Sequence, residues 1–156
     1  MIQKQFMQEA IHLARQGMQS NEGGPFGAVI VKNGKMIACG SNQVTSKNDC
    51  TAHAEIVAIR RACQLLQTFS LQGCDLYTSC EPCPMCLAAA LWARVDAIYY
   101  AAIRDDAAKI GFDDSYFYKQ INLPIAERDI VMQQWCRDDA LAVFDAWDKK
   151  LDKVCY

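Results

Sequence analysis

The sequence predicts an α/β domain in which one sheet carries helices on both faces. Three observations predict it. Hydrophobic spacing switches between helical steps and strand-like runs, an Asn33-Gly34 pair separates two apolar runs, and helical segments lie between the later strands. Helical connections favour parallel pairing of those strands, because a parallel neighbour needs a long crossover. At 156 residues, 52% hydrophobic and 22% charged, the chain has the size and composition of one globular domain, 1–156.

Ile2, Phe6, Ala10, Leu13 and Gly17 recur in steps of three and four and give a first helix one apolar face, with His12 off the stripe. Asn21-Glu22-Gly23-Gly24-Pro25 stops that helix and turns the chain. Residues 26–32 and 35–40 read as the two strands of a hairpin, since both positions of its Asn33-Gly34 turn need positive φ. From Thr51 the period is helical again, with Ile56, Ile59, Cys63 and Leu66 on one face. Residues 74–79 read as a strand that Glu81-Pro82 interrupts. Residues 83–94 read as a helix rich in Leu and Ala, and 95–101 as a further buried strand. A mixed stretch runs through Gly111-Phe112-Asp113-Asp114. The last helix then sets Leu141, Phe144, Trp147 and Leu151 on one side, so the tail is expected to dock on a surface.

Sixteen Lys and Arg against eighteen Asp and Glu give a net charge of −2. That balance argues against binding to nucleic acid or anionic lipid through bulk electrostatics. No apolar run approaches the roughly 18 residues of a spanning helix, and Met1-Ile2-Gln3-Lys4-Gln5-Phe6 lacks the apolar core of an export signal. A cytoplasmic protein with no membrane and no nucleic-acid partner is expected. Nine cysteines, an odd number, do not suggest a disulfide framework. Cys39, Cys63, Cys74 and Cys136 sit among apolar neighbours and are expected to pack as small hydrophobes. Cys80, Cys83 and Cys86 crowd beside Pro82 and Pro84, which points to chemistry.

Cys83 and Cys86 are three apart at a helix start, so both sulfurs face one side, and the helix N-terminus favours thiolates. His53 opens the other helix and brings an imidazole. Two thiolates and one imidazole suit Zn²⁺, with a fourth position left for water. His53 and Glu55 share a site only if His53 lies at the helix mouth, where Thr51 is positioned to cap. Glu55 then becomes a proton shuttle beside metal-activated water. Three other readings stand beside this one: a redox Cys83-x-x-Cys86 pair, the start of an iron–sulfur site, and a closed structural zinc site that includes Cys80. The redox pair leaves His53 and Glu55 without a use. The extended Glu81-Pro82 step makes Cys80 a strand-end core residue.

His53-Ala54-Glu55 with Pro82-Cys83-Pro84-Met85-Cys86 resembles the zinc nucleobase-deaminase signature of the cytidine deaminase superfamily. Gly23-Gly24-Pro25-Phe26-Gly27, Tyr77-Thr78-Ser79-Cys80-Glu81 and Gly111-Phe112-Asp113-Asp114-Ser115-Tyr116 are similar to the bacterial guanine deaminase family within it. The resemblance implies a three-layer α/β/α sandwich around a five-stranded mixed sheet. It implies zinc on His53, Cys83 and Cys86, proton transfer by Glu55, and hydrolysis of guanine to xanthine and ammonia. It also implies a substrate pocket of Asn42, Phe26, Trp92, Asp114 and Tyr156. Finally, it implies a homodimer that exchanges a C-terminal segment, 131–156, so that Tyr156 comes from the second copy. Deaminases of guanosine, cytidine or ammeline, and an adenosine deaminase acting on transfer RNA, share the zinc signature. A zinc-stabilised module without turnover has no use for Glu55.

Overall fold

The computed structural model describes residues 3–156, so Ile2 of the expected helical face lies outside the described residues. The elements are α1 (Lys4–Gln19), β1 (Gly27–Lys32), β2 (Lys35–Ser41), a short α2 (Val44–Lys47), α3 (Ala54–Leu66), β3 (Cys74–Cys80), α4 (Pro84–Ala93), β4 (Ala97–Ala102), α5 (Arg104–Lys109), α6 (Ser115–Asn122), a 3-10 turn (Ile125–Glu127) and α7 (Arg137–Lys149). They fall into two compact units, the first running to Ser115 and the second spanning Tyr116–Tyr156.

In the first unit the sheet order is β2-β1-β3-β4. β1 is antiparallel to both β2 and β3, while β3 and β4 run parallel, as the intervening α4 requires. Asn33 and Gly34 take φ of 50° and 70°, so the hairpin turn has the form their side chains favour. Alternation along β1 then divides the core. Ala28 and Ile30 join Leu76, Ala54, Ala58 and Ala62 on the α3–α4 side, whereas Val29 and Val31 meet Phe6, Ala10 and Tyr77 on the α1 side. The expected layering of helices on both faces is present. The stripe of α1 buries Phe6, Ala10, Ala14 and Gly17, and His12 is exposed.

Four expectations need correction. The sheet has four strands among the described residues, not five. A strand exists only through ladder partners, and no fifth segment among the described residues pairs with the sheet. The segment expected as a buried strand is the edge strand β4, and it is only partly covered. The helix expected from Thr51 starts at Ala54. Cys136 is exposed, whereas Cys74 is buried and Cys39 and Cys63 are half-buried. In the second unit α7 carries Phe144 and Trp147 toward solvent, and Trp135 is 84% exposed. No helix among the described residues is long and apolar enough to cross a membrane.

Candidate active site

The site forms where two helices begin beside the C-terminal end of β3. His53 is the N-cap of α3 and Cys83 the N-cap of α4, both with extended backbone. Pro84 occupies the first turn of α4, where a missing N–H costs nothing. His53 therefore does stand at the helix mouth, as the spacing to Glu55 demanded. Thr51 does not cap, contrary to expectation. Its hydroxyl donates to Asp49 Oδ1 (2.6 Å) and accepts from Arg60 Nη2 (3.2 Å), which secures the loop ahead of α3.

Nδ1 of His53 lies 3.6 Å from Cys83 Sγ and 3.5 Å from Cys86 Sγ. These three are the metal-capable group of the site, with ligand atoms all within 4.8 Å of one another. Tetrahedral zinc with bonds of about 2.3 Å to sulfur and about 2.05 Å to nitrogen requires an S···N separation near 3.5 Å. The residues fit the ion. Cys80, at the end of β3, donates instead to the Ile103 carbonyl (3.8 Å), and burial pushes its thiol up to about 11. It is not a fourth ligand.

The charges are arranged for a cation. Cys83 is held down to about 4, first by the Cys86 thiol beside it, then by His53, against the effect of burial. Cys86 is pushed up first by Cys83 beside it, then by burial and by Glu55. His53 is raised by its hydrogen bond to Cys83. A divalent ion would displace the remaining protons and satisfy both sulfurs.

Glu55 lies in the first turn of α3 and is 6% exposed. Its Oε2 accepts from Cys86 Sγ (3.5 Å) and its Oε1 from Thr78 Oγ1 (3.0 Å). Burial pushes the carboxyl above its ordinary range, partly offset by its own amide and by Thr78.

Asn42 is buried at the end of β2. Its Oδ1 accepts from the Gly24 and Val44 amides, both at 3.2 Å, so the carbonyl side is committed and the Nδ2 hydrogens remain to donate. Gly23 makes this possible, because a Cβ there would stand 2.1 Å from Asn42 Oδ1. Phe26 packs edge-on against Phe112, with centroids 4.9 Å apart. Asp113 Oδ1 accepts from Ser115 N–H (2.9 Å) at the start of α6. Burial raises the Asp114 carboxyl; the Cys83 charge adds to this and Arg104 opposes it. Trp92 is not brought to this cluster. Six residues past Cys86 is a rise of about 9 Å and a turn of roughly 240°. Trp92 accordingly lies 67% exposed in a surface hollow with Ala88, Leu91 and Arg94. Tyr156 belongs to the second unit and is exposed. Sequence reasoning missed Thr78, Gly23 and the Asp49–Thr51–Arg60 set.

The family model for the cytidine and deoxycytidylate deaminase zinc-binding region matches residues 1–102. The chain is 52% identical over 151 residues to the guanine deaminase of Bacillus subtilis, which spans 97% of each sequence. The X-ray structure of that enzyme superposes with a TM-score of 0.96 at 51% identity, covering 100% of this chain and 99% of the other. The guanine deaminase of Nitrosomonas europaea gives 0.66 at 37% identity, covering 70% and 64%. The tRNA-specific adenosine deaminase of Agrobacterium fabrum is 46% identical over 97 residues, 62% of this chain and 63% of that protein.

Proposed function

Since this chain belongs to the cytidine and deoxycytidylate deaminase family, we propose that it is a zinc-dependent aminohydrolase that converts guanine to xanthine and ammonia. The observation that carries this reading is the juxtaposition of a buried carboxylate with a three-ligand metal group, Glu55 Oε2 lying 3.5 Å from Cys86 Sγ. Near full-length similarity to a guanine deaminase selects the base, because the adenosine deaminase relative matches only 62% of the chain.

Held by His53, Cys83 and Cys86, zinc supplies the Lewis acidity that makes water nucleophilic near neutral pH. Glu55 takes a proton from the attacking water as its oxygen bonds to C2 of guanine. The same carboxyl passes that proton to ring N3, then carries the remaining hydroxyl proton to the amino nitrogen. The C2–N bond breaks, ammonia leaves, and the carbonyl of xanthine forms. Burial of Glu55 keeps bulk water from intercepting the transfer.

Base recognition follows from what each group has left to offer. Asn42 presents amide hydrogens to an acceptor on the purine rim, and Asp114 presents a carboxylate to its N–H groups. Phe26, stiffened by Phe112, forms one wall. In a homodimer that exchanges segment 131–156, Tyr156 of the second copy completes the enclosure. Exposed Ile130, Trp135, Phe144 and Trp147 support that exchange, since soluble chains rarely leave such a row uncovered. The localisation that suits this salvage or catabolic reaction is cytoplasmic.

Ammonia release is to be measured across guanine, guanosine, cytosine, cytidine, adenine and ammeline. Turnover of guanine well above the rest is the expected result. Preference for a nucleoside or for ammeline overturns the assignment of the base while leaving the chemistry intact.

A further inference from the structure

Thr78 occupies the middle of β3, registered against Ala28 of β1 on one side and Tyr100 of β4 on the other. It is fully buried. Cys74, Leu76, Ala28 and Ile30 around it make this face of the sheet apolar. Valine has the shape of threonine and no hydroxyl to desolvate, so such a position favours it unless the hydroxyl has a use. Here the hydroxyl donates to Glu55 Oε1 at 3.0 Å.

The two carboxylate oxygens of Glu55 thus have different surroundings, Oε1 against Thr78 and Oε2 against the ligand Cys86. We propose that Thr78 is a positioning residue: it anchors Oε1 so that Oε2 alone is presented to the attacking water and the leaving amine. The inference rests on the aminohydrolase reading above. Ladder bonds on both sides hold Thr78 rigidly, whereas a free glutamate side chain rotates about several bonds. Anchoring one oxygen converts a mobile base into an aligned one, and small misalignments of a reacting group are costly.

The test compares wild type, Thr78→Val and Thr78→Ser for kcat and KM on guanine, for zinc content, and for the infrared carboxyl band of the metal-free protein. Glu55→Gln difference spectra assign that band. Thr78→Val is expected to lower kcat by about 10- to 100-fold with KM and zinc content unchanged. Thr78→Ser is expected to recover most of the loss, and the Glu55 band is expected to shift in Thr78→Val only. A Thr78→Val enzyme within a few-fold of wild type overturns the proposal. So does an equal loss in both variants, or a loss that tracks zinc content, since either marks a packing role. If Thr78→Val fails to fold, Thr78→Ala carries the same readouts. If wild type releases no ammonia from guanine, the functional reading fails instead. The infrared band then decides the anchoring separately, an unshifted band refuting it.

Discussion

His53 and Cys83 are each the N-cap of a separate helix, with φ of −66° in both and ψ of 155° and 168°, and their Nδ1 and Sγ atoms stand 3.6 Å apart. Neither side chain turns back to cap its own helix. Both instead project from helix N-termini toward a shared point, where partial positive charge favours a thiolate. Two backbone corners, more than any loop, fix the metal group.

Metal removal follows from that geometry. Freshly purified protein is expected to hold about one zinc per chain. Dialysis against a chelator should abolish ammonia release and lower the melting temperature, and added zinc should restore both. Cys83→Ala should lose the metal even when zinc is supplied. Elemental analysis showing full occupancy in that variant contradicts the ligand assignment.

Glu55→Gln preserves shape and removes the proton-accepting charge. Turnover should fall by about 10²- to 10⁴-fold while zinc content is kept. Stability should hold or rise, because a carboxyl that burial pushes upward is costly to ionise. Steady-state kinetics with metal analysis on the same preparation checks both points.

Gly23→Ala tests the seat of Asn42 without touching the metal. The added Cβ would stand 2.1 Å from Asn42 Oδ1 and 2.7 Å from its backbone oxygen, so the Asn42 segment must shift. KM for guanine should rise about 10-fold or more, on the order of the 1–3 kcal/mol that a misplaced buried hydrogen bond costs. Zinc content should not change. Asn42→Ala should behave alike, and an unchanged KM in both variants removes Asn42 from base recognition.

Asp49 carries a pH dependence. The Thr51 hydroxyl and amide, aided by Arg60, hold its carboxyl below its ordinary value of 3.8. The folded value lies below the unfolded one, so its stabilising contribution is full above the unfolded value and is lost as pH falls through the folded one. The gap in urea midpoint between wild type and Asp49→Asn should be constant above about pH 5 and should close as the solution is acidified. A gap that widens with acid reverses the sign and dismisses the account.

Exchange of the tail predicts rescue by mixing. Chains carrying Glu55→Gln are inactive, and so are chains cut before Tyr156 if that residue closes the site of a second copy. Co-refolded together, they form some dimers in which an intact Glu55 meets an intact Tyr156. Ammonia release should reappear on mixing. Two inactive populations that stay inactive, yet form dimers by sedimentation, count against the exchange.

Much of the site was legible because its constraints are local. The spacing of Cys83 and Cys86 around Pro84 and the short step from His53 to Glu55 each imply a helix beginning at that point. α3 and α4 begin there. The turn at Asn33-Gly34 was equally local. Thr78 was not legible, because its worth depends on Glu55, 23 positions away in sequence and brought within 3.0 Å only by packing α3 on β3. The place of Trp92 was not legible for the complementary reason. Aromatic character says nothing of which side of a helix points to the ligands, and rotation along α4 carries Trp92 away from Cys86.

By itself, the sequence determined the donor types, the helix starts that aim them, and the hairpin turn at Asn33-Gly34. All of these arise from interactions between residues close along the chain. Tertiary structure alone decided that Asn42 spends its carbonyl on Gly24 and Val44, that Glu55 has one oxygen anchored and one facing the sulfurs, and that no fifth strand joins the sheet among the described residues. The physical reason is that a hydrogen bond or a ladder belongs to two partners at once, and the chain's order does not say which distant partner folding will supply.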